Sequence, residues 1–186
     1  MKTNILPAIK LTIVFVIFFM GLYTLLILGI AQLSPNHGKG FIVSANGTKQ
    51  YENIGQNFSQ DAFFWSRPSA VNYNAAGSGG SNKGPSNPDY LATVQARIDT
   101  FIVHNPGTVK SAIPSDLVTA SGSGEDPNIS VQGAIVQIPR IAKTRNMDEG
   151  KIKSLVNEHI EKPLFGLLGT EKINVLKLNI ALSSIK

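Results

Sequence analysis

"LTIVFVIFFMGLYTLLILGIAQL", Leu11–Leu33, is a run of 23 residues without a charge. A helix needs about 20 predominantly apolar residues to cross the hydrocarbon core of a bilayer, so the run reads as one span. Gly21 and Gly29 inside it are tolerated where no water competes for the backbone. A cleaved secretory signal would carry only about 7–15 apolar residues ahead of a small-x-small site. This run is longer, and "GIAQLSPN" at its end offers no such pair. The run is therefore read as a permanent anchor. It divides the chain into a tail, 1–10, a transmembrane helix, 11–33, and one domain, 34–186. Lys2 and Lys10 precede the span and no acidic residue does. By the positive-inside rule the tail is expected in the cytoplasm and the domain outside it. The protein is then single-pass in the plasma (inner) membrane, with the lipid bilayer as its first partner.

The part beyond the span, about 150 residues, is long enough for a real core: a domain of that size buries close to 70% of its unfolded surface. Hydrophobic residues make up 42% of the chain and charged ones 16%. The formal charge is +5. Without Lys2 and Lys10 the remaining 15 basic residues face 12 acidic ones. That balance is too mild, and on the wrong side of the membrane, for a nucleic-acid partner. Cysteine is absent, which removes disulfides, thiol catalysis and thiolate metal ligands.

Along the domain, Phe41–Val43 followed by Asn46-Gly47 reads as short strands around a hairpin turn. "FFWSRPSAVNYNAAGSGGSNKGPSNPDY", Phe63–Tyr90, opens on aromatics and continues as a long Gly/Ser/Asn loop. Loops of that length in compact domains are functional or disordered, and a disordered linker would not begin with an aromatic cluster. A helix follows, capped by Ser86 or Asn87, with Pro88 in its first turn and Asp89 on its dipole. Leu91, Val94, Ile98, Phe101 and Ile102 form its stripe, read as core packing, and Pro106-Gly107 ends it. A short turn near Ser115 leads to a second small-residue loop. Ser130 is placed as the cap of the next helix, with Ile135, Ile138 and Ile141 inward and Pro139 kinking or shortening it. Asn146 is placed as a cap with Glu149 closing a capping box, and Ile152, Leu155, Val156, His159 and Ile160 as the inner face. Alternation of Leu176, Leu178, Ile180 and Leu182 with Lys177 and Asn179 reads as a half-buried strand. The fold class is α+β behind a single N-terminal transmembrane helix.

Catalytic patterns fail on spacing. "GSGGSNKGP" has Lys83 before Gly84 and no hydroxyl after the lysine, so it is not a phosphate loop. "SGSGED" lacks the third glycine and the preceding strand of a dinucleotide fingerprint. His37, His104 and His159 are scattered, without a metal-ligand partner. Gly77-Ser78-Gly79 and Gly122-Ser123-Gly124 match too little of a nucleophile elbow. No catalytic or metal-ligating residue is expected. What remains is an anchored domain with two polar loops, a profile of recognition. Phe63, Phe64, Trp65 and Arg67 are of the types enriched at interface cores, and equally of the types that plug a domain core.

Several strings occur together in one order: "GQNF", Gly55–Phe58; "FWSRPSA", Phe64–Ala70; "SGGSN", Ser78–Asn82; "SNP", Ser86–Pro88; "VTASGSGEDPNIS", Val118–Ser130; "QIPRIAKTR", Gln137–Arg145; and "INVLKLNIAL", Ile173–Leu182. In these the chain resembles, over essentially its whole length, the KdpC family, the C subunit of the Kdp potassium-transporting P-type ATPase. Glu125 is the one departure, where that family's pattern has a small or apolar residue.

The resemblance implies a non-catalytic accessory subunit of an ATP-driven, high-affinity potassium uptake pump. Its implied partners are a channel-like potassium-binding subunit, a P-type ATPase subunit and a small membrane peptide. It implies a role in assembling and stabilising the complex. It also implies action as a catalytic chaperone that contacts nucleotide and raises the ATP affinity of the ATPase subunit. No tightly bound cofactor is expected; ATP is the nucleotide the resemblance brings. The charge bias puts the domain outside, however, while ATP is inside. The domain is therefore expected to dock on the outer mouth of the channel subunit through its two loops, whose carbonyl oxygens could act on potassium entry. The candidate partner-interface or nucleotide-contact residues are Trp65, Arg67, Pro68, Ser69, Ser78, Gly79, Gly80, Ser81, Asn82, Thr119, Ser121, Gly122, Ser123, Gly124, Asp126, Gln137 and Arg140. Two other readings compete: an anchored module that captures a small anion or sugar in the Gly/Ser loops, and an anchored hydrolase using Ser78 or Ser123.

Overall fold

A computed structural model describes residues 4–45 and 47–185; Lys2 of the tail and Asn46 of the hairpin turn lie outside the described residues. The chain divides into two compact units, Met1–Phe41 and Ile42–Lys186.

The first unit is the helix α1, Ile5–Gln32, 28 residues with a mean hydropathy of 2.7 over its most apolar window and none of that window buried. It starts at Ile5 rather than Leu11, so Lys10 lies on the helix. Its middle, Val16–Tyr23, is wound as a π-helix, and the Thr24 hydroxyl donates to the Phe19 carbonyl, 3.0 Å. The free carbonyls at its C-terminal end are satisfied locally. Ser34 Oγ donates to Ala31 O, 2.7 Å, and His37 Nδ1 lies 3.0 Å from Gln32 O. Gly38 closes the turn at φ +72, where a Cβ would meet that of Ala31 at 2.9 Å.

The second unit begins with an antiparallel hairpin, β1, Ile42–Ala45, and β2, Thr48–Tyr51, in register Ile42↔Tyr51 and Ala45↔Thr48. The turn falls where Asn-Gly placed it, with Gly47 at φ +78. Irregular chain runs to α2, Pro88–His104. Asn87 caps α2 by accepting from Tyr90 N, with Pro88 and Asp89 in its first turn as expected, and it stops before Pro106-Gly107. Its stripe is less a core face than its spacing suggests: of the five apolar residues only Phe101 is buried, and Leu91 is 51% exposed.

After 3-10 turns at Lys110–Ala112 and Ser115–Leu117, β3, Asn128–Ile129, pairs antiparallel with β4, Ile173–Asn174. Ser130 caps α3, Val131–Ile135, by accepting from Gly133 N. Pro139 shortens the helical run as expected: the chain breaks at Val136-Gln137, and proline sits in the first turn of α4, Ile138–Arg145. The cap of α5, Glu149–Glu158, is Asp148, which accepts from Lys151 N, and not Asn146. Asn146 instead ends α4 in the left-handed region, φ 53, a conformation its short polar side chain tolerates.

The largest correction is at the C-terminus. Val175–Ser184 is a helix, α6, capped by Asn174, and not a strand. Val175, Leu176, Leu178, Asn179 and Leu182 are its buried residues, the i, i+3, i+4, i+7 spacing of one helical face. Phe64, Ile129, Ile141, Ile152, Val156, Ile173, Leu178 and Leu182 form the centre of the core. The body is mixed helix and strand, as the α+β class requires.

Candidate functional site

The candidate residues fall into two groups with different work. Trp65, Gln137 and Arg140 hold the aromatic segment to the core. Gln137 is fully buried; its Oε1 accepts from Trp65 N, 2.7 Å, and from Arg140 Nη2, 2.7 Å, while its Nε2 donates to Gly133 O, 2.8 Å. Arg140 Nη1 donates to Asp61 O, 2.6 Å, and Phe63 O, 3.1 Å, and its Nε to Asn105 Oδ1, 3.0 Å. The guanidinium lies 4.7 Å from the centre of the Trp65 ring, a cation–π contact. Burial lowers the Arg140 pKa from 12.5 to about 10, with Asp61 opposing, so the group is charged at neutral pH and these bonds are charge-assisted. Trp65 also meets Phe101 edge-on at 6.0 Å. One residue back, Phe64 is fully buried, its backbone held both ways by the Asn179 amide, 2.9 Å each. The aromatic opening of the loop is thus seated in the body.

The second group joins the two polar loops. Arg67 bridges them: its Nη1 pairs with Asp126 Oδ2, 3.1 Å, and its Nε donates to Thr119 O, 3.3 Å. Pro68 follows, half-buried. Ser69 Oγ accepts from Val71 N, 3.1 Å, and Tyr73 N, 2.8 Å, and Tyr73 Oη returns to donate to Arg67 O, 2.7 Å. Burial raises the Tyr73 pKa, with Arg97 opposing, so the phenol keeps its proton for that bond. Farther on the loops touch as backbones. Gly79 N donates to Ser123 O, 2.9 Å, and Ser78 Oγ donates to the same oxygen, 3.0 Å. Gly80 lies against Gly122, where an added Cβ would be 3.1 Å from the carbonyl oxygen. Gly124 has φ +73, and a Cβ there would be 2.7 Å from Val71 Cγ2 and 2.8 Å from Gly79 O. Only glycine fits at position 124, and Gly80 is a tight approach.

The hydroxyls within the ridge serve the loops themselves. Ser123 Oγ accepts from Glu125 N, 3.1 Å, and Ser121 Oγ from Asp126 N, 3.4 Å. Among the described residues neither Ser78 nor Ser123 is hydrogen-bonded to a histidine. His104 Nδ1 lies 2.8 Å from Asp61 Oδ1, and His159 Nδ1 lies 2.8 Å from Leu155 O. No group of three or more His, Cys, Asp or Glu among the described residues could hold a metal ion. The result is one ridge: Ser121 and Gly124 buried beneath, Gly79 and Gly80 half-covered, and Ser78, Ser81, Asn82, Gly122 and Ser123 exposed. The ridge can present carbonyl oxygens and short polar side chains to a partner.

Three contributors escape the sequence reading. Val71 and Tyr73 pack behind the ridge, and Gly55 N donates to Glu125 O, 2.8 Å. The signal was present in "SAVNY", where a serine precedes a left-handed Asn72, but a side chain that takes two N–H groups leaves no spacing rule. Glu125 has one buried carboxylate oxygen, Oε1, with no hydrogen-bond partner among the described residues.

An apolar helix long enough to cross a membrane, with one small α+β body, is the architecture of a single-span membrane protein. Residues 5–184 match the family described as KdpC, K+-transporting ATPase, c chain, and the chain belongs to it. A potassium-transporting ATPase KdpC subunit of Flavobacterium psychrophilum is 55% identical over 184 residues, 98% of this chain and 99% of the relative. One of Bacteroides fragilis is 48% identical over 190 residues, 100% of this chain and 99% of the relative. One of Geobacter metallireducens is 45% identical over 188 residues, 98% of each chain.

Proposed function

We propose that the chain is the accessory subunit of an ATP-driven potassium pump, supplying no catalytic group and holding the complex together from the extracytoplasmic side. The observation that carries this reading is the ridge. Two loops more than 40 positions apart are joined by Gly79–Ser123 and Arg67–Asp126 contacts, and its outer edge is left exposed. A surface ordered beforehand loses little entropy on docking. Its partner is the channel-like potassium-binding subunit, with the ATPase subunit and the small membrane peptide completing the complex. Lys10, on α1, and the absence of acidic residues ahead of the span support an inside tail.

On that orientation the body and ATP are on opposite sides of the membrane. An effect on ATP affinity then acts through a coupling between sites: the subunit favours the conformation of the pump that binds ATP more tightly. The expected result is a lower KM for ATP in the complete complex than in one lacking this chain, with loop variants intermediate. Orientation is read separately. The chain has no cysteine, so Lys153→Cys on the exposed side of α5, away from the ridge, gives a unique label site. A membrane-impermeant maleimide should label it from outside intact cells; labelling only after lysis would reverse the topology.

A further inference from the structure

The connection between α5 and β4 ends in an exposed apolar tip. "PLFGLLG", Pro163–Gly169, contains no charged or hydrogen-bonding side chain. Leu164, Phe165, Leu167 and Leu168 are 61–85% exposed. Isolated exposed leucines are ordinary, but four large apolar side chains in five residues form a patch that marks a contact surface.

The backbone of the tip is closed on itself. Leu164 N donates to Leu168 O and Leu168 N to Leu164 O, both 3.0 Å; Gly166 N donates to Pro163 O, 2.9 Å, and Leu167 N to Leu164 O, 3.2 Å. Phe165 and Gly166 make the turn at φ 55 and 73. Below it, Glu161 and Lys172 exchange backbone bonds and lie within 3.7 Å as side chains. A protein partner could supply hydrogen bonds to open backbone groups; a hydrocarbon cannot, so a segment entering lipid must satisfy them internally. Four N–H groups of this tip, those of Leu164, Gly166, Leu167 and Leu168, are satisfied in this way along its turn. Its charges, Glu161, Lys162, Glu171 and Lys172, are confined to the base and balance in sign. Apolar contact rather than attraction to anionic headgroups is therefore the driving term. The same chain carries α1, long and apolar enough to cross a bilayer, which keeps the body near a lipid surface.

We propose that Leu164–Leu168 is a membrane-docking tip that inserts its four apolar side chains into the interfacial region of a lipid bilayer, independently of headgroup charge. The test uses the full chain, whose lack of cysteine makes Leu167→Cys a unique site. The variant is labelled with an environment-sensitive fluorophore and reconstituted alone into zwitterionic phosphatidylcholine vesicles, some carrying acyl-chain spin labels. The expected result is a blue-shifted emission quenched severalfold more by the spin-labelled lipid than a label at Lys153→Cys on the exposed side of α5. Adding Phe165→Asp to Leu167→Cys should abolish the difference while circular dichroism is unchanged. A Leu167 label that reports water in these vesicles overturns the proposal. So does a shift seen only with the other pump subunits present, which would make the tip a protein contact, or only in anionic vesicles.

Discussion

Arg140 is the residue on which the aromatic segment hangs. Its guanidinium reaches Asp61, Phe63, Asn105 and Gln137 at once and covers the Trp65 ring. Removing it leaves buried acceptors unpaired, each costing about 1–3 kcal/mol. Arg140→Met should therefore destabilise the body by about 3 kcal/mol, lowering Tm by roughly 6–12 °C for a chain of this size. Arg140→Lys should recover little, because an ammonium does not reproduce the planar fork. Thermal unfolding in detergent checks both. Lys177 makes a pH-dependent contribution. Burial lowers its pKa, but the hydrogen bond and charge of Glu52, joined by Glu161, outweigh it, and the net shift is upward. A raised pKa means the folded state holds the proton more tightly. The contribution is complete below the ordinary lysine pKa of 10.5 and is lost as pH rises through the folded value. The Tm advantage of the native chain over Lys177→Met should thus be constant to about pH 10 and shrink above it. An advantage that grows with pH would reverse the sign.

Helix ends and the two loops decide the architecture at the next scale. Ser130 both caps α3 and donates to Asp116 Oδ1, 3.0 Å, while its N–H reaches Asp116 Oδ2, 2.6 Å. Ser130→Ala should cost about 1–2 kcal/mol. In the ridge, Gly124→Ala forces a Cβ into Val71 and Gly79 at positive φ and should cost about 1–3 kcal/mol. Gly122→Ala, where nothing lies within 4 Å, should stay within about 0.5 kcal/mol. Denaturant unfolding separates the two. Elements with local punctuation were legible: Asn87-Pro88 opened α2, Asn46-Gly47 marked the hairpin, and Ser130 opened α3. The C-terminal helix was not, because Leu178 and Leu182 satisfy a period of two as well as one of 3.6. Asn179 decides between them, since its amide serves Phe64 from the buried face. Only the fold brings those residues, 115 positions apart, together. Asn146 likewise suits both a cap and a left-handed stop. Among the candidate site residues, sequence marked both loops but not their division of labour: Gln137 and Arg140 serve the core, and the Ser78–Asn82 and Ser121–Gly124 segments form the surface.

For the whole molecule, α1 and the ridge present two surfaces of different character. α1 offers mostly apolar side chains along its charge-free length, with Gly21 and Gly29 open to close approach by another helix. The ridge offers carbonyls and small polar groups. Substituting the exposed Ser81 with a large charged residue, lysine or glutamate, should weaken capture of partner subunits at least tenfold while leaving Tm unchanged, since its side chain lies on the surface. Potassium flux measured in the same variants should fall with assembly. The decisive measurement is to tag this chain, solubilise the membranes in mild detergent, and assay the eluate for co-purifying subunits and for potassium-stimulated ATPase activity. The expected result is a four-subunit complex whose activity disappears when this chain is deleted. A stable monomer with no ATPase partner, or a pump fully active without the chain, would contradict the accessory-subunit function.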